Sequence, residues 1–261
     1  MSRNAVTQRE RNEMTRSRLG LLGLCAMVLG LMAFGTAGAQ AEGTWLILNS
    51  LGQVKTGTEL PATIELEKDS SVYVLHSKIV GIAVLFLCTN LKAINAKIFG
   101  SGAIGKGAGE EKESKVLFSG CTTDLNGTTA PECTPKDKTA GTGEIVTNNG
   151  HALVILHTLG DGTKDDVTKI LPDEGETFAV IEMEAACPLG TKVPVIGELS
   201  LKDCENLALT HLVKHLVEPF EALTKLWTIS KTAEHVATLL GSAWAKLGGV
   251  HEGLKWSISG L

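Results

Sequence analysis

His211 and His215 stand four residues apart. On a helix that spacing places two imidazoles on one face, an arrangement that holds zinc. The stretch reads His-Leu-Val-Lys-His, so the glutamate of the metalloprotease H-E-x-x-H pattern is missing. At ~100° per residue both histidines fall away from the apolar stripe of such a helix, and a pair of surface histidines is the plainer reading. If they held a metal, Glu234, His235 or His251 would be the further ligand that folding would have to bring in.

Gly100-Ser-Gly-Ala-Ile-Gly-Lys-Gly107 satisfies G-x-G-x-x-G and comes close to a P-loop. Its last position is Gly107, so the hydroxyl that would hold magnesium is absent, and no apolar helical stripe follows to cradle phosphate. It reads as a loop between strands. Asp161-Gly-Thr-Lys-Asp-Asp166 gathers carboxylates, but the spacing is not that of an EF-hand and Lys164 sits in its middle. It reads as a solvated hairpin. There is no G-x-S-x-G elbow and no C-x-x-C pair. A carboxylate pair for glycoside hydrolysis needs no sequence proximity, and nothing singles one out. Trp45, Trp227, Trp244 and Trp256 accompany a single tyrosine, Tyr73. Trp244 and Trp256 lie in strand-like runs, where core packing is the first reading and a ligand platform the second.

All five arginines fall within the first 18 residues, ahead of the apolar run 19–35 and the small residues Ala39-Gln40-Ala41. That is the plan of a secretory signal peptide, so residues 1–41 are expected to be removed. A membrane anchor is the alternative reading of the same run. The whole chain holds 24 Lys and Arg against 29 Asp and Glu. Loss of five arginines and two glutamates with residues 1–41 leaves 19 lysines and 27 acids, a balance of −8. A negative chain without a guanidinium is a poor partner for nucleic acid, and it lacks the fork that grips phosphate in bidentate fashion.

Cys25 leaves with the leader, and Cys88, Cys121, Cys133, Cys187 and Cys204 remain. An oxidising compartment predicts disulfides, and an odd count leaves one thiol over. Cys121 and Cys133 flank Asn126-Gly127, a strong hairpin signal, and form the first candidate pair. Cys187 with Cys204 is the second. Cys88, inside Val84–Cys88, reads as a buried free thiol.

Short alternating runs rich in Val, Ile, Leu and Thr must position these groups. The pattern predicts strands at 44–48, 59–67, 71–76, 79–88, 93–99, 115–121, 143–147, 152–159, 167–171, 177–183 and 193–201, with 152–183 as a three-stranded meander. Leu209, Leu212, Val213, Leu216 and Phe220 fit helical spacing, so one helix is expected near 206–218, although the same residues alternate tolerably as a strand. Strand-like runs at 235–247 and 254–258 close the chain. Pro131–Gly143 is the best linker-like stretch within 42–261 and a possible divide between two subdomains, although its cysteine suits a pinned loop. Many short strands with turn punctuation predict an all-β sandwich or barrel.

The strings Phe118-Ser-Gly-Cys121, Cys133-Thr-Pro135, Gly143-Glu-Ile-Val-Thr147, Cys187-Pro188, Gly241-Ser-Ala243 and Gly253-Leu-Lys-Trp256 resemble a group of secreted, β-rich bacterial proteins, found for instance in soil actinobacteria. The resemblance spans most of 85–257. It carries no activity and no residue roles.

Together these readings describe a secreted or envelope-located binding or structural protein. It would act without catalysis or cofactor, make no contact with nucleic acid and meet a membrane only during export. A secreted hydrolase, metal-assisted through His211 and His215 or built on a carboxylate pair, is one alternative. A component of an envelope or surface assembly is another.

Overall fold

Period-two alternation becomes strand along the whole described chain. Strand Thr177–Glu182 shows why: Ala179 and Ile181 are buried while their neighbours are half-buried, as one face of a sheet requires. The structure, a computed structural model, describes residues 44–47, 58–66, 72–100, 114–158, 164–203, 210–215, 225–230 and 233–259. The leader 1–41, the glycine-rich stretch beyond Gly100, Asp161-Gly-Thr163 and Cys204 lie outside them, as do Cys25, Leu209, Leu216, Pro219 and Phe220.

The first strands are β1 (Thr44–Ile47), β2 (Thr58–Leu66), β3 (Tyr73–Ile79), β4 (Ile82–Ile94), β5 (Lys97–Gly100), β6 (Lys115–Leu125) and β7 (Thr128–Thr129). A 3-10 turn, Pro131–Cys133, leads to β8 (Lys136–Asp137), β9 (Gly141–Thr142), β10 (Glu144–Val146), β11 (Gly150–Thr158), β12 (Lys164–Pro172), β13 (Thr177–Glu182) and β14 (Lys192–Asp203). The last are β15 (Thr210–His215), β16 (Lys225–Ser230), β17 (Ala233–Leu240), β18 (Ser242–Leu247) and β19 (Trp256–Ser259), with a 3-10 turn Gly249–His251 before the last. Among the described residues all ladders are antiparallel, and all but the β1–β19 pair belong to one continuous sheet. The fold is all-β, and Ala41–Leu261 forms one compact unit.

Followed around, the ladders close twice. In the first ring β3 pairs with β4, β4 with β6, β6 with β10, β13 with β14, β14 with β16, β16 with β17, and β17 with β3. The gap between β10 and β13 is closed by the Thr147–Ala179 bridge and by the Asn148 N–H, which donates to the Phe178 carbonyl at 2.9 Å. In the second ring β4 and β6 are followed by β11, β12, β14, β15, β18 and β2, which meets β4 again at Glu65 and Lys92. Ser114 bridges to Gly150 to join β6 and β11. The long strands β4, β6 and β14 serve both rings: one stretch of each pairs within one ring and another within the other. Closure leaves few free edges, which is how a large antiparallel sheet avoids pairing with other chains.

The first ring is filled. Tyr73, Phe86, Phe118, Ile145, Val195 and Leu239 project inward from different strands, and Tyr73 meets Phe118 edge-on with centroids 5.7 Å apart. The remaining cavity is about 40 Å³ and is walled mainly by apolar side chains, so it is packing space. Toward one end Ser77 and Thr228 join hydroxyls at 2.7 Å, and the Ser77 hydroxyl also donates to the Val236 carbonyl at 3.0 Å.

Three sequence expectations are corrected. The expected helix is strand where it is described: Thr210–His215 pairs with β14 at Leu201–Asp203 and with β18 at Ser242–Lys246. Backbone partners on both edges outweigh an ambiguous apolar spacing, and β-branched Thr210 and Val213 suit a strand. The meander also changes. β11 and β12 pair as expected, but β13 pairs along β14, which β12 joins through Leu199–Lys202.

The disulfides differ as well. Cys88 pairs with Cys121, and Cys133 with Cys187, replacing both the Cys121–Cys133 and the Cys187–Cys204 pairings. Cys88 is buried as expected but bonded: it faces Cys121 directly across the β4–β6 ladder. Asn126 and Gly127 do make the turn, with φ of 51° and 80°, between Leu125 and Thr128. The hairpin then ends after two residues. Pro131 turns the chain into a 3-10 turn, where the Thr123 hydroxyl donates to the Cys133 carbonyl at 2.7 Å. That carries Cys133 off β6 to the loop after β13, where Cys187 lies.

Beside this disulfide, Glu182 is held below the usual carboxylate range, first by its hydrogen bond from Lys192. Asp137 is lowered too. Burial alone would raise it, but the Thr139 hydroxyl and the Ala140 and Thr139 N–H groups together outweigh that effect. Thus Pro131–Gly143 is a pinned segment carrying β8 and β9.

A second two-residue turn joins β3 to β4. Val80 and Gly81 have φ of 50° and 85°, between the paired Ile79 and Ile82. A β-branched residue is costly there, and asparagine is the residue the turn prefers. Val80→Asn is expected to raise stability by about 1 kcal/mol, read as a higher urea midpoint. An unchanged or lower midpoint would show that the turn has another shape.

Candidate functional cleft

On the outside of the sheet, where β14 passes from one ring to the other, the surface is concave. The cleft measures about 310 Å³ and is lined by Leu171, Pro172, Gly175, Glu176, Ile196, Gly197, Glu198 and Trp227. Local sequence builds it. Pro172 ends β12, and 173–176 bend into β13. Gly197 has φ +114°, and its N–H donates to the Glu176 carbonyl at 2.8 Å. A side chain is disfavoured at that φ, so only glycine takes it comfortably here; the bulge in the β13–β14 ladder lies on β13, between Thr177 and Ala179. Along β16, Leu226 and Thr228 point into the ring, which turns Trp227 outward beside its ladder partner Ile196.

Charged groups surround this apolar wall. Lys169 Nζ and Glu198 Oε2 form a half-buried ion pair at 2.7 Å. Glu176 is exposed at the rim. Next to Leu171 on the ladder, His151 Nδ1 lies 2.9 Å from Asp173 Oδ1, both mostly buried. Ser114 borders the same concavity as His151, a place for a nucleophile beside the His–Asp pair, but its described hydrogen bond goes elsewhere. The Ser114 hydroxyl donates to the Asn95 carbonyl at 3.3 Å. The arrangement can therefore hold a ligand by an aromatic face, two carboxylates and an ordered ion pair. None of the described hydrogen bonds gives it an activated nucleophile.

The sequence-derived candidates are placed apart. His211 and His215 share a strand, where four residues return to the same face but span about 13 Å, so the close helical spacing does not hold. His235 lies on β17 in the first ring, opposite Thr228, and its Nε2 is buried without a hydrogen-bond partner. Glu234 neighbours it on the same strand, where it is exposed, and His251 sits in the turn after β18. Among the described residues no three His, Cys, Asp or Glu side chains gather as a metal site would require. Trp256 is 2 % exposed and pairs with buried Ile47, which makes it core and not a ligand platform. Trp244 is half-buried on β18, opposite Leu212 and Glu65. The carboxylate turn at 161–166 enters the description only where β12 begins, at Lys164.

Trp227 stands out in the sequence, but its surroundings do not. The usable signal was Pro172 followed by Glu174-Gly175, which marks a turn, together with a glycine interrupting the strand at 197. Comparison with protein families, with characterised proteins and with solved structures returns no match.

Proposed function

We propose that this chain is a non-catalytic binding module of an extracytoplasmic space, and that the cleft beside Trp227 takes a small polyhydroxylated ligand such as a sugar. The observation that carries the reading is an outward indole set beside Glu176 and Glu198 in a cleft of about 310 Å³. An indole face stacks on the C–H face of a pyranose, and carboxylates accept hydrogen bonds from hydroxyls. The Lys169 pair orients Glu198, so little is lost in ordering it on binding. Two disulfides suit an oxidising compartment, and the predicted leader points the same way.

The test is calorimetric titration with the sugars selected from a glycan array. Trp227→Ala is expected to weaken binding at least about tenfold, the loss of most of one buried aromatic contact. The near-UV spectrum should keep its fold signature. Unchanged affinity in that variant would move the site elsewhere.

A further inference from the structure

The surface beside Trp227 is unusual for an exposed strand. On β17, Val236 faces outward between inward Ala237 and His235, and it is 73 % exposed. It stands directly across the ladder from Trp227. On the next strand, β3, exposed His76 pairs with Thr238. Moving outward from the cleft across three adjacent strands, the surface offers an indole, a bare valine and an imidazole. The step from Trp227 to Val236 is one strand spacing, about 4.8 Å, close to the length of one pyranose ring in an extended chain; His76, opposite Thr238, lies diagonally about 7–8 Å beyond Val236.

We infer that the cleft is the first position of a track across β16, β17 and β3, and that the ligand is an extended saccharide chain of at least three units. This rests on the reading of the cleft as a sugar site. The first ring stacks on Trp227. The second lays its C–H face on Val236, which would otherwise stay in water. The third meets His76, whose ring nitrogens serve hydroxyls as donor or acceptor. The continuity of the strip with the cleft is what selects a chain over a single sugar.

The experiment is titration of the intact protein with linear neutral oligosaccharides of one to six units, of each linkage that the array retains. Affinity is expected to rise with each unit up to three and then level off. Val236→Asp should remove that gain, lowering affinity for the trimer about tenfold while leaving the monosaccharide unchanged. Val236→Thr, which keeps a methyl group, should retain part of the gain. Binding that depends on Trp227 but shows no length dependence would overturn the track and leave the cleft standing. Failure of every glycan to bind would overturn both. If Val236→Asp instead abolishes self-association in sedimentation, the strip is a contact between copies and the track is wrong.

Discussion

Replacing either Cys133 or Cys187 by alanine is expected to cost about 4 kcal/mol, the entropy of opening a loop whose ends lie 54 residues apart. Folded proteins are stable by only about 5–15 kcal/mol, so each variant should sit near its unfolding threshold at room temperature. The double replacement should be no worse than either single one, because all three remove one bond. Cys88 and Cys121, 33 residues apart, should behave likewise, at slightly lower cost. Changes drawn from different bridges, such as Cys121 with Cys133, should add. The check is urea unfolding of the full set under non-reducing conditions. If Cys121→Ala and Cys133→Ala fail to add, the connectivity described above is wrong.

Gly241→Ala should cost about 3 kcal/mol through overpacking and backbone strain together. Gly241 is the single residue between β17 and β18, at φ +148°. A Cβ there would lie 2.6–2.8 Å from three atoms of the Tyr73 ring. Tyr73 is 3 % exposed and braced against Phe118, so the ring has little room to retreat. Gly253→Ala is the control, since a Cβ at 253 meets nothing within 4 Å. It should shift the unfolding midpoint by less than about 0.5 kcal/mol equivalent. Equal behaviour of the two variants would show that the β17–β18 corner does not rest on Tyr73.

Strand content was legible because period-two alternation is a local property, and most segments were found within a few residues of their ends. Two boundaries failed for local reasons. Val80-Gly81 lacks the usual turn residues, so the break before β4 was drawn too early. Gly241 alone separates β17 from β18, and a one-residue corner leaves no turn cluster to see. The ladders were not legible, because pairing depends on which distant strands meet. Cys88 and Cys121 face each other only because β4 and β6 are neighbours, with β5 and the stretch 101–113 between them in sequence. The cleft has the same character. Leu171, Glu198 and Trp227 come from three strands, and their association follows from β12 and β16 both pairing with β14. The helical reading of 210–215 failed because six residues with mixed spacing obey whatever edges they are offered.

A binding role for the cleft requires ligand to sit at Trp227. The most direct measurement is a two-dimensional ¹H–¹⁵N spectrum of the protein titrated with the tightest-binding glycan from the array. The account predicts that the Trp227 indole N–H and the amides of Glu176, Gly197 and Glu198 shift together and saturate at one equivalent. Shifts confined to Trp244, or to residues away from β14 and β16, with Trp227 unmoved, would contradict it.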